Sequence, residues 1–513
     1  MNLSELQKQI DVIRPSLSAE GRILVELFMP FCEDLWKMNM ALGEENKHLR
    51  SENELLWKEN KLVKEENKRL KDQLAKNSKN SSKPPSQDGL KSKKSRSLRT
   101  PSGKKRGGQK GHTGQGAKLK EDPDNIIRYK LEQCPDCKQS LKETPLDDLI
   151  RKQIEEIPPI RTIVTEYQIE VKTCPCCEQR WQAVGYPEEV IHEYQYGPRV
   201  KAISLYLSAY QFLPVKRIKE MLSVFGLNLS TGTLDNFRKS AARELDSFMD
   251  LLKQSIIASS AGFFDETGMK VNGKNNWVHV AATKTLSLFK LHVNRGTQAH
   301  DAIGILAFFL GIAHRDGYRS YNGYEHILFS LCCAHLLREL KFAIEQDGQK
   351  DWAQPLINLL IEIKSKVDHS DSGLLDVRWQ GRFRKKYRQY LDLGFEQNPP
   401  AIRPSGQVKG ATAQSKTYNL LLRLRDHEQQ VLRFMTHPNA EFDNNQAERD
   451  LRMNKVRAKV SGGFRSFQAG EQFMKIRSLV ATAIKQGREP IEALVQLCTP
   501  GNNEYMQLAA YPE

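Results

Sequence analysis

Three carboxylates offer this chain its chemistry: Asp265, Asp316 and Glu448. Asp265 ends an apolar run, Ala261-Gly-Phe-Phe-Asp-Glu-Thr267. Asp316 follows another, Gly311-Ile-Ala-His-Arg-Asp-Gly-Tyr318. Glu448 lies on a polar helix start, Asp443-Asn-Asn-Gln-Ala-Glu-Arg-Asp-Leu-Arg452. Two carboxylates from adjacent strands and one from a nearby helix can hold two Mg²⁺ ions, or Mn²⁺ in their place, on a phosphodiester. One ion then lowers the pKa of a bound water or a 3′-hydroxyl, and the other stabilises the leaving oxygen of an in-line displacement. That chemistry needs no side-chain nucleophile. No Walker loop, Gly-x-Ser-x-Gly elbow or dinucleotide-binding Gly pattern competes with it. The Gly-rich Ser461-Gly-Gly-Phe-Arg465 reads as a turn or a loop approaching DNA.

Taken singly, each acid has a plainer explanation. An Asp at a strand end is often a turn residue or helix cap, and most helical Glu residues are solvated. The joint pattern carries more weight. Residues 262–271, 276–282 and 286–293 read as three successive strands, with Val271-Asn-Gly-Lys274 as a tight hairpin. A helix at about 298–310 and a fourth strand at 311–316 follow. A three-stranded meander, a helix and a fourth strand is the ribonuclease-H-like order, which sets the first strand beside the fourth and so Asp265 beside Asp316. Helices are expected near 325–346, onward to about 435, and again over 444–498. On the helix at 444–456, Asn445, Glu448, Arg452 and Lys455 share one face, which suits a metal-plus-phosphate surface. The 131 residues between Asp316 and Glu448 exceed a minimal core of this kind. With Arg378, Arg382, Arg384, Lys385, Lys386 and Arg388 clustered there, they read as an inserted helical domain that either holds DNA or is merely a solvated basic surface.

Cys134-Pro-Asp-Cys137 and Cys174-Pro-Cys-Cys177 are two turns of equal spacing. Each presents two thiolates, and two such turns complete a tetrahedral Zn²⁺ site. Cys177 is preferred to Cys176 because it keeps the two-residue spacing. A hairpin in the intervening stretch, which includes Ile160–Val171, would bring the turns together. Cys32, Cys332, Cys333 and Cys498 read as plain buried residues.

The rest of the chain must deliver these sites to a partner. With 513 residues, it is too long for one core and predicts about three or four domains. Residues 76–120 hold fourteen Lys/Arg against one acid, Asp88, and so carry most of the net charge of +16. Rich in Ser, Gly and Pro as well, this stretch is expected to be disordered and to contact polyanions, DNA above all, with Lys104, Lys105 and Arg106 at its centre. Leu35, Leu42, Leu49, Leu56, Val63 and Leu70 recur every seven residues, with Asn39, Asn46, Asn53, Asn60 and Asn67 at the other core position. Buried Asn at that position favours a parallel two-stranded coil, hence a homodimer. Residues 213–240 fit a helix-turn-helix capped by Ser230, with Thr231, Thr233 and Asn236 free to face DNA. The start, Met-Asn-Leu-Ser-Glu-Leu-Gln-Lys, has no apolar core, and the longest apolar run, Ala302–Ala313, is far short of the roughly 20 residues of a membrane span. A cytoplasmic protein with no membrane partner is expected.

These residues together resemble bacterial transposases of the class named after insertion sequence sixty-six. The resemblance rests on the N-terminal coil, Asn80-Ser-Ser-Lys-Pro-Pro-Ser86, Lys104-Lys-Arg-Gly-Gly-Gln-Lys-Gly-His112 and the two cysteine pairs. It rests further on Asp265-Glu-Thr, Asp316-Gly-Tyr, Cys333-Ala-His-Leu-Leu-Arg-Glu339 and, most specifically, Asn444-Asn-Gln-Ala-Glu-Arg449. It implies that Asp265, Asp316 and Glu448 are the catalytic, metal-binding acids. It also implies that the partners are the element's terminal inverted repeats, target DNA and accessory proteins of the same element. Many members read Cys-Trp-Ala-His where this chain has Cys332-Cys-Ala-His335, a change expected to touch packing only. His335 is read as a satisfied core histidine rather than a site residue.

The expected plan is multidomain α+β. An N-terminal helical segment (1–34) leads into a coiled coil (35–75), a basic linker (76–124) and a zinc-binding domain (125–187). A helix-turn-helix-like DNA-binding segment (190–255) precedes a ribonuclease-H-like catalytic domain (256–480) with a helical insertion (347–436), and a C-terminal helix and tail (481–513) close the chain. The alternative reading is a non-catalytic, zinc-dependent DNA-binding regulator; the three intact acids argue against it.

Overall fold

Between residues 44 and 75 the chain has neither Gly nor Pro and is rich in Glu, Lys and Leu, a composition that propagates helix. A computed structural model describes residues 3–77, 80, 111, 118–185, 187, 190, 192–401 and 414–510. It divides into two units, residues 1–93 with 341–350, and residues 94–340 with 351–513. The first unit holds α1 (Leu3–Ile13) and the 57-residue α2 (Ala19–Ala75). Ser18 caps α2, its Oγ accepting from the Gly21 N–H at 3.2 Å. The heptad residues Leu35, Leu42, Leu49, Leu56, Val63 and Leu70 are all exposed on this single chain, leaving an apolar stripe uncovered. Most of the basic linker, Lys104, Lys105 and Arg106 included, lies outside the described residues.

In the second unit, β1 (Val171–Thr173) and β2 (Arg180–Gln182) form a hairpin around the second cysteine turn. The hairpin expected between the turns is not found; residues 160–170 carry no regular element. Each cysteine turn is instead closed locally. Helices α3 (Pro198–Ala209), α4 (Val215–Ser223), α5 (Thr231–Glu244) and α6 (Asp246–Ala258) follow. The α4–α5 turn runs through Gly226 at φ +85°, and Ser230 Oγ caps α5 by accepting from the Thr233 N–H at 3.0 Å. Ile218, Leu222 and Leu234 are buried together beneath this pair.

The sheet comprises β3 (Ala261–Val271), β4 (Lys274–Ala282), β5 (Ser287–His292), β6 (Ile312–Arg315) and β7 (Leu328–Leu331), in the order β5-β4-β3-β6-β7. Strands β3, β4 and β5 are an antiparallel meander whose first turn, Asn272-Gly273, has both residues at positive φ as a tight hairpin requires. β6 adds in parallel beside β3, and β7 in parallel beside β6. Between β5 and β6, α7 (Thr297–Ile303) and a short 3₁₀ turn replace the single helix expected at 298–310.

Strand β7 corrects the reading of 325–346 as one helix. Leu328-Phe-Ser-Leu331 is a four-residue apolar run, and at that length periodicity cannot separate a buried parallel strand from a helix start. The helix there, α8, spans only Cys333–Asp347. Then come α9 (Lys350–Asp368), α10 (Val377–Gln397), α11 (Lys416–Asp426), α12 (Glu428–Val431), α13 (Asn445–Ser461), α14 (Phe467–Lys485) and α15 (Pro490–Cys498).

Helix α13 packs on β3 and β4, and α14 on β5. As an edge strand, β5 would leave backbone N–H groups unpaired. Helix hydroxyls take two of them: Ser478 Oγ accepts from Phe289 at 2.9 Å, and Thr482 Oγ1 from Ser287 at 3.2 Å. No helix among the described residues is long and apolar enough to cross a membrane.

The entry of β6 beside β3 is tight. A Cβ on Gly311 would lie 2.5 Å from the Ser259 carbonyl oxygen and 2.7 Å from that of Ser260, both rigid backbone atoms. Gly311→Ala is therefore expected to destabilise the fold by about 1–3 kcal/mol, the usual cost of forcing atoms into packed space. A urea unfolding midpoint equal to that of the unmutated chain would contradict this.

Candidate active site

Parallel pairing of β3 with β6 runs Ala261↔Ile312, Gly262↔Ala313, Phe263↔His314. Two residues further along stand Asp265, still on β3, and Asp316, the first residue past the end of β6. Side chains alternate along a strand, so both acids continue the face on which Phe263 and His314 stack with ring centroids 4.4 Å apart. Adjacent strands run about 4.8 Å apart, so two neighbouring backbones present these carboxylates at the same level.

The same face carries the start of α13. His314 donates from Nδ1 to the Gly262 carbonyl at 3.1 Å and accepts at Nε2 from the Glu441 N–H at 2.7 Å. Burial pushes this imidazole down to about 4, so it stays neutral and can make both bonds. Buried Asn444 donates from Nδ2 to the Phe264 carbonyl at 2.8 Å, and its N–H points at Cys332 Sγ at 3.2 Å. The Cys333 N–H donates to the Phe442 carbonyl at 3.0 Å. Thus β3, β6 and the β7–α8 junction all hold the segment before α13. Glu448, whose N–H bonds back to the Asn444 carbonyl at 3.2 Å, follows one turn later.

The electrostatics are those of crowded carboxylates. Burial, then Glu266 and Asp316, hold the Asp265 carboxyl well above its ordinary value; Glu448 adds to this, and the Glu266 N–H, donating to Asp265 Oδ1 at 2.8 Å, opposes it. Asp316 Oδ1 accepts from the Tyr318 N–H at 2.8 Å, and its Oδ2 lies 3.9 Å from Arg295 Nη2. Arg295 also donates from Nε to Glu266 at 2.8 Å and lies over the Tyr318 ring at 4.0 Å. Glu448 Oε1 is 3.2 Å from Arg338 Nη2 and 3.6 Å from His335 Nδ1, both on α8.

A set of hard carboxylate oxygens that repel one another fits a divalent cation with oxygen preference, such as Mg²⁺ or Mn²⁺. Among the described residues, two groups of three ligand-type atoms lie within 4.8 Å of one another: Cys332–His335–Glu448 and Glu266–His279–His300. Neither contains all three acids.

Sequence reasoning gave roles to the acids but none to their attendants, although Tyr318, Arg338 and Asn444 stand in the motifs quoted above. Arg295, Arg338, Asn444 and Tyr318 reach the site from four separate stretches, and a sequence shows no period that links them. His335 departs from its expected role, since its Nδ1 is buried without a hydrogen-bond partner and faces Glu448. Cys333 is buried and packs as expected, its thiol lying 3.5 Å from the Val431 carbonyl oxygen.

Of the candidate DNA contacts, Thr231, Asn236, Asn445, Arg452 and Lys455 are exposed. Thr233 is half-buried, with its hydroxyl 2.9 Å from that of Ser230. It therefore serves the helix cap.

The two cysteine turns share one geometry. The Cys134 N–H donates to the Gln139 carbonyl at 2.9 Å, and the Cys174 N–H to that of Gln179 at 2.9 Å. Lys138 and Glu178 take the same left-handed conformation, φ 63° and 57°. Backbone N–H groups of Cys137 and Asp136 hold the Cys134 thiol below its ordinary value; those of Cys177 and Cys176 do the same for Cys174. Thiolate-favouring sulfurs are what Zn²⁺ requires. Each turn draws its own pair together, and neither three-ligand group above joins the two pairs.

Comparison with known families adds three matches. The model described as "Transposase IS66 family" matches residues 193–472. That of the zinc-finger binding domain of transposase IS66 matches residues 132–178. A family of unknown function matches residues 39–118. No curated protein matches the chain.

The turn geometry separates Cys177 from its neighbour. With Co²⁺ as probe, Cys174→Ser and Cys177→Ser are each expected to weaken or abolish the thiolate-to-cobalt charge-transfer absorption, whereas Cys176→Ser retains it. Loss in Cys176→Ser and retention in Cys177→Ser would reverse the assignment.

Proposed function

We propose that this chain, which belongs to the transposase IS66 family, cleaves phosphodiester bonds at the ends of its mobile element and joins the freed 3′-hydroxyl to target DNA. The observation that supports this reading is the β3–β6 register: continued two residues beyond its last pair, Phe263↔His314, it brings Asp265 on β3 level with Asp316, just past the end of β6. The strand order, an antiparallel meander extended by two parallel strands beside its first member, supports a ribonuclease-H-like assignment for the catalytic domain.

Asp265, Asp316 and Glu448 would hold two Mg²⁺ ions, which supply activation of the attacking oxygen and stabilisation of the leaving one. The chain's own residues do the remaining work. Asn444 and His314 fix the start of α13, so Glu448 is placed before substrate arrives. Arg338 orients the Glu448 carboxylate, and Arg295 that of Asp316. Exposed Arg452 and Lys455, one and two turns beyond Glu448, are placed to take DNA phosphates entering the site. Thr231 and Asn236 on α5 and the Lys104–Arg106 cluster serve as further DNA contacts. The zinc-binding segment serves as a folded module upstream of the site.

The heptad stripe on α2 supports pairing of two chains, one for each element end. Its leucines and the intervening asparagines are exposed along the whole helix, and a second copy would cover both. Leu42→Lys combined with Leu49→Lys is expected to convert a dimer into a monomer by light scattering at micromolar concentration. An unchanged mass would place the dimer contact elsewhere.

Asp265→Asn, Asp316→Asn and Glu448→Gln keep side-chain shape and remove charge. Each is expected to reduce Mg²⁺-dependent cleavage of end-sequence DNA to background while DNA binding in a gel-shift assay is retained. Full cleavage by any one of them would remove that acid from the mechanism. Full cleavage by all three would favour a different catalytic centre.

A further inference from the structure

Directly behind Asp265 lies a second cluster of ligand-type side chains that strand cleavage does not use. Successive strand residues face opposite sides of a sheet, so Glu266 points away from the face of Asp265. There it meets His279, its direct partner across the β3–β4 pair, and His300 of α7. A carboxylate oxygen and one ring nitrogen from each histidine lie within 4.8 Å of one another, and all three residues are buried. The two imidazoles meet edge to face with centroids 5.5 Å apart.

Buried polar atoms almost always have partners. His300 is only 5% exposed, yet both of its ring nitrogens are buried with no hydrogen-bond partner. A histidine retained for bulk alone gains nothing from that arrangement; one aimed at a ligand does. His279 Nε2 lies 3.1 Å from the Asn294 carbonyl oxygen. The tautomer that donates there leaves Nδ1 with its lone pair, the usual state of a metal-binding histidine whose other nitrogen is fixed by a backbone carbonyl. Burial pushes both imidazoles down to about 4, so both are neutral near pH 7. The Glu266 carboxylate is fixed as well, one oxygen accepting from Arg295 Nε and the other from the Tyr321 hydroxyl, each at 2.8 Å. Each oxygen keeps a second lone pair. A small, mostly apolar cavity of about 20 Å³ adjoins His279, His300 and Tyr321, so the histidine side of the cluster is not tightly filled; Glu266 does not line it.

We propose that Glu266, His279 and His300 bind one divalent transition-metal ion of the zinc class, which ties β3, β4 and α7 together behind Asp265 and takes no part in cleavage. Two imidazoles and one carboxylate select such an ion over Mg²⁺, which prefers all-oxygen surroundings. The ion would be distinct from the one at the cysteine turns and from those at the three acids.

Metal stoichiometry of the intact chain tests this. After gel filtration in excess Mg²⁺, plasma mass spectrometry is expected to find about two zinc-class ions per chain, one at the cysteines and one here. Cobalt resolves them. In a variant with Cys134, Cys137, Cys174 and Cys177 all changed to Ser, the remaining Co²⁺ should show d–d absorption without thiolate charge transfer, and adding His300→Ala should remove that remainder; His279→Gln should do the same. About one ion per unmutated chain, lost entirely in the variant with all four cysteines changed to Ser, would overturn the proposal. That reading needs no histidine variant, so a folding defect in His300→Ala does not shield the idea. No DNA is cut, so the outcome is independent of whether Asp265, Asp316 and Glu448 are catalytic.

Discussion

Like charges held together in a poorly solvated space are the constraint on which the rest of the structure turns. Half-buried Asp265 feels the carboxylates of Glu266 and Asp316, with that of Glu448 within electrostatic reach. In such surroundings a carboxyl is driven toward its neutral form unless charge or hydrogen bonds compensate. The compensation is distributed unevenly. Arg295 serves Glu266 and Asp316 at once, Arg338 serves Glu448, and Asp265 receives the Glu266 N–H. The acid at the centre of the sheet is thus the least neutralised, and it has the most to gain from a cation. An anion-lined site without such a ligand would be a poor use of a central strand, where apolar residues pack best.

Placing Glu448 poses a different problem. Helix α13 buries only Ala447, Leu451 and Asn454, too narrow a stripe to fix a helix by apolar packing alone. Directional polar bonds take over that role. His314 reaches Glu441, Asn444 reaches Phe264, and the Cys333 N–H reaches Phe442. Such bonds in a dry interior discriminate strongly between alternatives, because a small displacement leaves buried groups unpaired. The polar face that makes α13 a candidate for the site is therefore also the reason it needs this anchoring.

How much of this was legible in the sequence follows from the range of each signal. Strands β3 to β6 were readable because alternation and the Asn-Gly turn are local, and the position of Asp265 relative to Asp316 then follows from strand order. Strand β7 was misread because four apolar residues carry no period. The cysteine turns were readable because two-residue spacing is itself the geometry; the path between them was not, since residues 160–170 take no regular form. Arg338 and Asn444 stood in quoted motifs without a role, and Arg295 in none, because their roles exist only after distant elements meet. His335 was undervalued for the same reason: a histidine near an apolar stretch is satisfied or not according to what folds against it.

The Asp265-Glu266 doublet joins these strands of argument. A strand cannot turn two successive side chains to one face, so the pair divides its labour by geometry rather than by chemistry. Asp265 belongs to the face shared with Asp316 and α13, and Glu266 to the one shared with His279, His300 and Tyr321. Arg295 touches both Glu266 and Asp316, so the two faces are coupled through one guanidinium. A one-residue slip of β3 would exchange the two acids and disorganise both faces at once. The register is held by nine cross-strand partners in β4 on one side and by the tight parallel entry of β6 on the other. Stability of the sheet and accuracy of the candidate site are consequently the same property, set by the backbone of β3 rather than by either carboxylate.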